Sequence, residues 1–138
     1  MSSSQPLIFD TSVWVPALKN GPATPAAALL ISYVDNNYPV YLIPTIVQEV
    51  LQGIRQDKDY RQVKQSFGGF PLLSLDAREA AVGAADLFRQ LRKKGVTIRK
   101  PNDCLIAFYA LTYKVPVVHD DSDFDLIAAH VPLIIRRS

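Results

Sequence analysis

Five carboxylates in this 138-residue chain sit where side chains do chemistry: Asp10, Glu49, Asp103, Asp121 and Asp123. Asp10 directly follows the apolar run Pro6-Leu7-Ile8-Phe9. Glu49 lies inside a helical pattern that opens at Pro44-Thr45, and Asp103 lies at the start of another. Asp121 and Asp123 follow the apolar run Val115 to Val118. Brought to one place, such groups repel one another and lose hydration, so they need cations to hold them. All-oxygen ligands suit hard cations such as Mg²⁺ or Mn²⁺. Two such ions ~3.5–4 Å apart can activate water and stabilise an in-line displacement at phosphorus. The chemistry expected of the set is metal-dependent phosphodiester cleavage. Each acid also has a plainer reading. Asp10 would cap the next helix, Asp103 would complement a helix dipole, and the segment from Asp120 to Asp125 would form an Asx-rich turn.

The elements that must position these acids alternate between short apolar runs and helical patterns. Strands are expected at residues 6–9, 40–43, 70–75, 115–118 and 133–135. Helical turns are expected over Thr11 to Leu18, with Gly21-Pro22 as a break. Thr24-Pro25 reads as N-cap and first helical position of the next helix. Further helices are expected after Pro44, over Asp57 to Phe67, and from the cap Asp76 to about Lys94, with Gly95 as the stop. Asn102 reads as the cap of the helix that carries Asp103, and a short helix follows the acidic loop Asp120 to Asp125. Such alternation implies an α/β fold, a parallel sheet with helices on both faces. Ligands in such folds sit outside the carboxyl ends of the strands. Residues 1–5 read as a flexible lead, and residues 1–138 as a single domain.

Several stretches carry a family likeness: Ile8-Phe9-Asp10-Thr11-Ser12, Glu49-Val50-Leu51-Gln52-Gly53-Ile54-Arg55, Gly95-Val96-Thr97-Ile98, Asn102-Asp103-Cys104-Leu105-Ile106-Ala107, and Asp121-Ser122-Asp123-Phe124. In this order and spacing the chain resembles the PIN-domain ribonucleases, and within them the VapC-type toxins of toxin–antitoxin pairs. The resemblance implies a three-layer α/β/α fold with a five-stranded parallel sheet and one or two Mg²⁺ or Mn²⁺ ions. Matched position by position, it makes Asp10, Glu49, Asp103 and Asp121 the catalytic acids. Asp10, Asp103, Asp121 and Asp123 become metal ligands, and Thr11 and Ser12 become supporting hydroxyls. It also implies an RNA substrate, an antitoxin partner and a homodimer. One position departs from the pattern: His119 stands two residues before Asp121, where the family often has Thr or Ser.

Six basic residues, Arg89, Arg92, Lys93, Lys94, Arg99 and Lys100, fall within twelve positions around Gly95. They form either a solubilising helix end or a phosphate-binding rim beside the acids. Of these, Arg92, Lys93, Lys94, Arg99 and Lys100 are the candidate RNA contacts. The whole chain carries 15 Lys and Arg against 13 Asp and Glu. With five acids in one pocket, only eight are left to offset the 15 cations elsewhere. A near-neutral total then conceals an acidic cavity in a basic shell.

Other features narrow the class. One cysteine, Cys104, excludes an internal disulfide and suits a reducing cytoplasm. It reads as a buried, inert thiol. No apolar run approaches the ~20 residues of a bilayer span, and the N-terminus has no basic-then-apolar leader. Trp14 and Tyr33 read as core aromatics. The alternative to an endoribonuclease is a non-catalytic RNA- or protein-binding module of the same fold. A receiver-like phosphoryl-transfer domain is disfavoured, because the first strand ends in Asp10-Thr11-Ser12 with no second acid beside Asp10.

Overall fold

Leu7, Ile8 and Phe9 are all inaccessible to solvent. Neighbouring side chains of a strand point to opposite faces, so both faces of the sheet at this strand must be covered. This strand, β1 (Leu7–Phe9), is the middle of a parallel sheet in a computed structural model that describes residues 5–19 and 24–138. Residues 1–4 of the expected lead, and the Gly21-Pro22 break, lie outside the described residues. Gln5 is described: its carbonyl accepts the Tyr33 hydroxyl at 2.8 Å.

The chain runs β1, α1 (Thr11–Ala17), α2 (Pro25–Asp35), β2 (Val40–Tyr41), α3 (Pro44–Gln52), α4 (Asp57–Phe67), α5 (Ala77–Lys93), α6 (Pro101–Tyr113), β3 (Val117–Val118), α7 (Ser122–Ala128). The sheet order is β2-β1-β3, all parallel. The expected third and fifth strands join it only as single parallel bridges. Leu42 pairs with Leu72 on one edge and Val117 with Ile135 on the other. The five-stranded expectation therefore becomes three regular strands with two outer segments that touch the sheet at one point each. Leu72 and Ile134 are more than half exposed, so these edges lack the two-sided burial that holds β1.

Helix limits follow local chemistry. Thr24 caps α2 by accepting the Ala27 N–H, and Asp76 caps α5 by accepting that of Glu79. Gly95, at φ +84°, ends α5. Its own N–H donates to the Arg92 carbonyl and that of Val96 to Leu91, a Schellman closure that favours glycine at the left-handed position. One expected cap differs. The α6 N-cap is Lys100, with Pro101 in the first turn, so Asn102 is already inside the helix. Proline suits that position because its missing N–H leaves nothing unpaired there.

Beneath the helices, Trp14 packs edge-on against Phe67 and Phe70, and Tyr33 against Phe9 and Tyr38. Both are core residues. Cys104 is buried, and burial pushes its thiol up to about 11, which keeps it protonated and inert. Helices α5 and α6 pack tightly at Gly83, where an added Cβ would lie 2.3 Å from the Phe108 ring. Among the described residues no helix is long and apolar enough to cross a membrane.

Candidate active site

Parallel strands end together. The Asp10 N–H still donates to the Val118 carbonyl at 3.0 Å, so the residue after β1 and the residues after β3 emerge side by side. Asp10 then caps α1: its Oδ2 accepts both the Ser12 N–H (3.0 Å) and the Ser12 hydroxyl (2.7 Å). Asp121 caps α7 in the same way, its Oδ1 accepting the Asp123 N–H at 3.0 Å. The capping reading and the site reading thus hold for the same residues. Ser12 ties the two arms together, because its Oγ also accepts the Asp120 N–H at 3.0 Å.

Asp103 arrives from the first turn of α6. One oxygen each from Asp103, Asp121 and Asp123 lies within 4.8 Å of the others. All three residues are buried, as is Asp10. Asp10 stands beside this group, and its charge is felt at Asp103. Burial, foremost, then the Asp121 side chain and the charges of Asp121 and Asp10, push the Asp103 carboxyl up to about 8. Burial also raises Asp10 above its usual value, against the pull of the Ser12 hydrogen bonds. Asp121 lies below its usual value: burial opposes the shift, and the Asp123 N–H, Asp103 and Lys100 outweigh it.

Two carboxylate oxygens in the group, Asp103 Oδ2 and Asp123 Oδ2, are buried with no hydrogen-bond partner. Leaving buried carboxyl oxygens dry and unpartnered is costly, and a hard cation is the group that would satisfy them. Three converging carboxylates with two orphaned oxygens fit Mg²⁺ or Mn²⁺ chemistry.

Glu49, half-buried on α3, accepts the Thr11 hydroxyl at 2.7 Å through Oε1 and the Asn102 amide at 3.4 Å through Oε2. It is therefore aimed by two residues. Thr11 is one of the two hydroxyls implicated from sequence; Asn102 is a residue that its apparent capping role concealed.

His119 fills the position where a hydroxyl was expected. The Asp121 N–H donates to His119 Nδ1 at 3.1 Å. Nδ1 is thereby the acceptor, and Nε2 carries the proton toward Asp125 Oδ1 at 3.0 Å. Arg137 reaches the same Asp125 oxygen at 3.1 Å. The ring also lies against Phe124. A Ser or Thr at this position would accept the same i+2 amide proton, so the imidazole replaces its function as well as its place. Sequence reading missed Asp125, which reads as loop, and Arg137, which lies eighteen positions beyond His119; their only signal was charge.

The basic residues divide. Lys100 Nζ donates to Asp121 Oδ2 at 3.1 Å, and Arg99 Nε lies 3.8 Å from Asp123 Oδ1. Arg92, Lys93 and Lys94 are exposed at the end of α5, with Arg92 over the Phe88 ring.

A parallel sheet with this helix order and buried acids at its carboxyl edge defines a class, and comparison with known sequences agrees. The chain belongs to the PIN domain family, whose model matches residues 7–129. It is 30% identical over 122 residues to ribonuclease VapC11 of Mycobacterium tuberculosis, which covers 88% of this chain and 91% of that protein. The VapC ribonuclease Mb1587 of Mycobacterium bovis matches equally well. Among solved structures, the DNA-bound VapBC of Salmonella typhimurium superposes with a TM-score of 0.73 at 20% identity, covering 96% of this chain and 97% of that one. VapBC2 of Rickettsia felis, bound to a promoter fragment, gives 0.71 at 17% identity, covering 96% and 98%. At these identities the structural matches speak for the fold.

Proposed function

We propose that the protein is a Mg²⁺- or Mn²⁺-dependent endoribonuclease, the toxin of a toxin–antitoxin pair. The observation that carries this reading is the group Asp103, Asp121 and Asp123, with two buried, unpartnered oxygens, beside Asp10. The kinship with VapC ribonucleases supports RNA as substrate. Asp103, Asp121 and Asp123 would hold the ion, with Asp10 beside them to share it or to support a second. A divalent ion there supplies acidity to water and neutralises charge on the phosphate. Glu49, aimed by Thr11 and Asn102, would position the attacking water. Ser12 fixes the Asp10 carboxylate and joins it to the loop of Asp120. His119 fixes the Asp121 backbone. Arg99 and Lys100, with Arg92, Lys93 and Lys94 farther out, meet the phosphates of the strand. In-line attack of water on phosphorus, with the 3′ oxygen leaving and taking a proton from solvent, would give a 3′-hydroxyl and a 5′-phosphate.

Solved neighbours include members of toxin–antitoxin systems, which supports an antitoxin as partner. Leu18, Ile31 and Val34, exposed on the outer side of α1 and α2, are apolar surface that a partner would cover. We place the protein in the cytoplasm as a homodimer of one 138-residue domain. Light scattering and a single cooperative unfolding transition check the last two points.

The test of the activity is cleavage of total RNA with Mg²⁺ or Mn²⁺ by the wild type and by Asp10→Asn and Asp121→Asn. Wild-type cleavage that chelation stops, and that both variants lack, is expected. Undiminished cleavage by Asp10→Asn overturns the assignment. The second reading, a binding module without catalysis, draws on Arg99 and Lys100 already lying against the acids; RNA binding with no cleavage under either metal would select it.

A further inference from the structure

Asp121 has two carboxylate oxygens with different occupations. Oδ1 is committed to the α7 cap, accepting the Asp123 N–H at 3.0 Å. Oδ2 takes no backbone donor, and the Lys100 ammonium is on it at 3.1 Å. Lys100 is rooted firmly: as the α6 N-cap, its carbonyl accepts the Asp103 N–H at 2.9 Å. Its side chain is loose by comparison, 65% exposed against 7% for that of Asp121. A lysine ammonium is a strongly hydrated point charge on a flexible stem, without the planar fork that locks an arginine to a carboxylate.

We propose that Lys100 and a divalent cation are rivals for the same oxygen, Asp121 Oδ2, and that the displaced ammonium then binds a phosphate oxygen of the RNA strand. This rests on the nuclease reading of the site. Oδ2, with no backbone donor on it, is the Asp121 oxygen most open to an ion seated among Asp103, Asp121 and Asp123, and the ion's double charge would repel the ammonium held there. The short tether through the α6 N-cap keeps the displaced ammonium at the rim of the same pocket. Lys100 is thus a substrate-binding residue that the metal itself releases. Arg99 is a weaker rival at best, since its Nε is 3.8 Å from Asp123 Oδ1. Among the described residues, Lys100 is the one lysine or arginine hydrogen-bonded to a carboxylate of the cluster.

The experiment measures Mn²⁺ affinity of the full chain by titration calorimetry and Mn²⁺ electron paramagnetic resonance. It compares wild type, Lys100→Met, Lys100→Gln and Lys100→Arg. Loss of a solvent-exposed ion pair converts to about two- to fivefold tighter Mn²⁺ binding by the neutral variants. The same proteins then bind a single-stranded RNA oligonucleotide in Ca²⁺ across a salt series. The neutral variants bind more weakly, with a slope of log affinity against log salt reduced by about 0.7, one phosphate contact on a single strand. Lys100→Arg restores the slope. If the wild type binds Mn²⁺ and the neutral variants bind it no more tightly, the rivalry is refuted. If their salt slope is unchanged, the phosphate role is refuted. If wild type and Asp121→Asn alike fail to bind Mn²⁺, the metal site itself falls, and this inference with it. Melting curves of the metal-free proteins identify any variant that fails to fold, and the two neutral side chains guard against such a loss in one of them.

Discussion

Replacing Asp103 with Asn should make the metal-free protein more stable at slightly alkaline pH and abolish its response to metal. The Asp103 carboxyl is pushed from 3.8 to about 8, chiefly by burial and then by Asp121 and Asp10. Folding therefore favours the protonated form. The stability this gives is complete below the unfolded value near 4 and is lost as pH rises through about 8. Between pH 5 and pH 8 the cost of keeping or losing that proton grows by roughly 3–4 kcal/mol at ~1.4 kcal/mol per pKa unit. For a chain of this length, unfolding entropy of ~2.1 cal/mol/K per residue turns this into a fall of about 10 °C in Tm. Asp10, also raised, acts in the same direction. Asp121, lowered, loses its contribution only in acid below this window. The assay is thermal unfolding followed by circular dichroism at pH 5 and 8, in chelator and in Mg²⁺. The wild type in chelator should melt about 10 °C lower at pH 8, and Mg²⁺ at about 100 times its Kd should restore ~2.7 kcal/mol. Asp103→Asn, which cannot ionise, should lose the Asp103 part of this fall in chelator, keeping only what Asp10 contributes, and gain little from Mg²⁺. A wild-type Tm that does not change between pH 5 and 8 in chelator, or a variant with the wild-type slope, would refute the reasoning.

Three further outcomes follow from the contacts around the site and core. His119→Ala strips the acceptor from the buried Asp121 amide and should weaken Mn²⁺ affinity or turnover about tenfold, while His119→Asn, which can accept the same i+2 proton, should recover much of it; equal losses in both would show that the ring itself is needed. Thr11→Val frees Glu49 Oε1 and should lower turnover while leaving Mn²⁺ affinity within about twofold, a split read by calorimetry beside cleavage rates. It should cost ~1 kcal/mol of stability. Gly83→Val drives a side chain into the Phe108 ring and should cost ~1–3 kcal/mol in urea unfolding. Phe108→Leu in the same chain should return part of that, and an uncoupled pair would mean the helices separate freely.

Much of this architecture is legible before folding because local chemistry decides it. Thr24, Asp76 and Gly95 mark helix ends through side chains and backbone angles that act over three or four residues. The acids at the ends of β1 and β3 are legible for a different reason: a buried apolar run followed at once by Asp leaves that Asp at the sheet's carboxyl edge. What stayed hidden depends on distance through space. The segments around Leu72 and Ile135 have strand-like composition, yet each meets the sheet at one bridge, and pattern cannot tell a bridge from a ladder. Asn102 has the residue type of a cap, but Pro101 already takes the first helical position; its reach to Glu49 spans 53 positions. Lys100 looked like its basic neighbours around Gly95, and only the packing of α6 against α7 sets it on Asp121, apart from Arg92, Lys93 and Lys94.

The sheet order has a consequence for how such a molecule is made. Of the three strands, β1 is synthesised before the other two and lies in the middle, and one of its flanks waits for β3, which follows only after α6. Asp103, Asp121 and Asp123 arrive with α6 and after it. A partly translated chain holds Asp10 and Glu49 with nothing opposite them, and β1 has one unpaired edge. On the proposed function, topology keeps the nascent chain harmless to the RNA around it, including the ribosome that is making it. Cutting begins only when β3 slots into place, and the step that completes the sheet is the step that arms the protein.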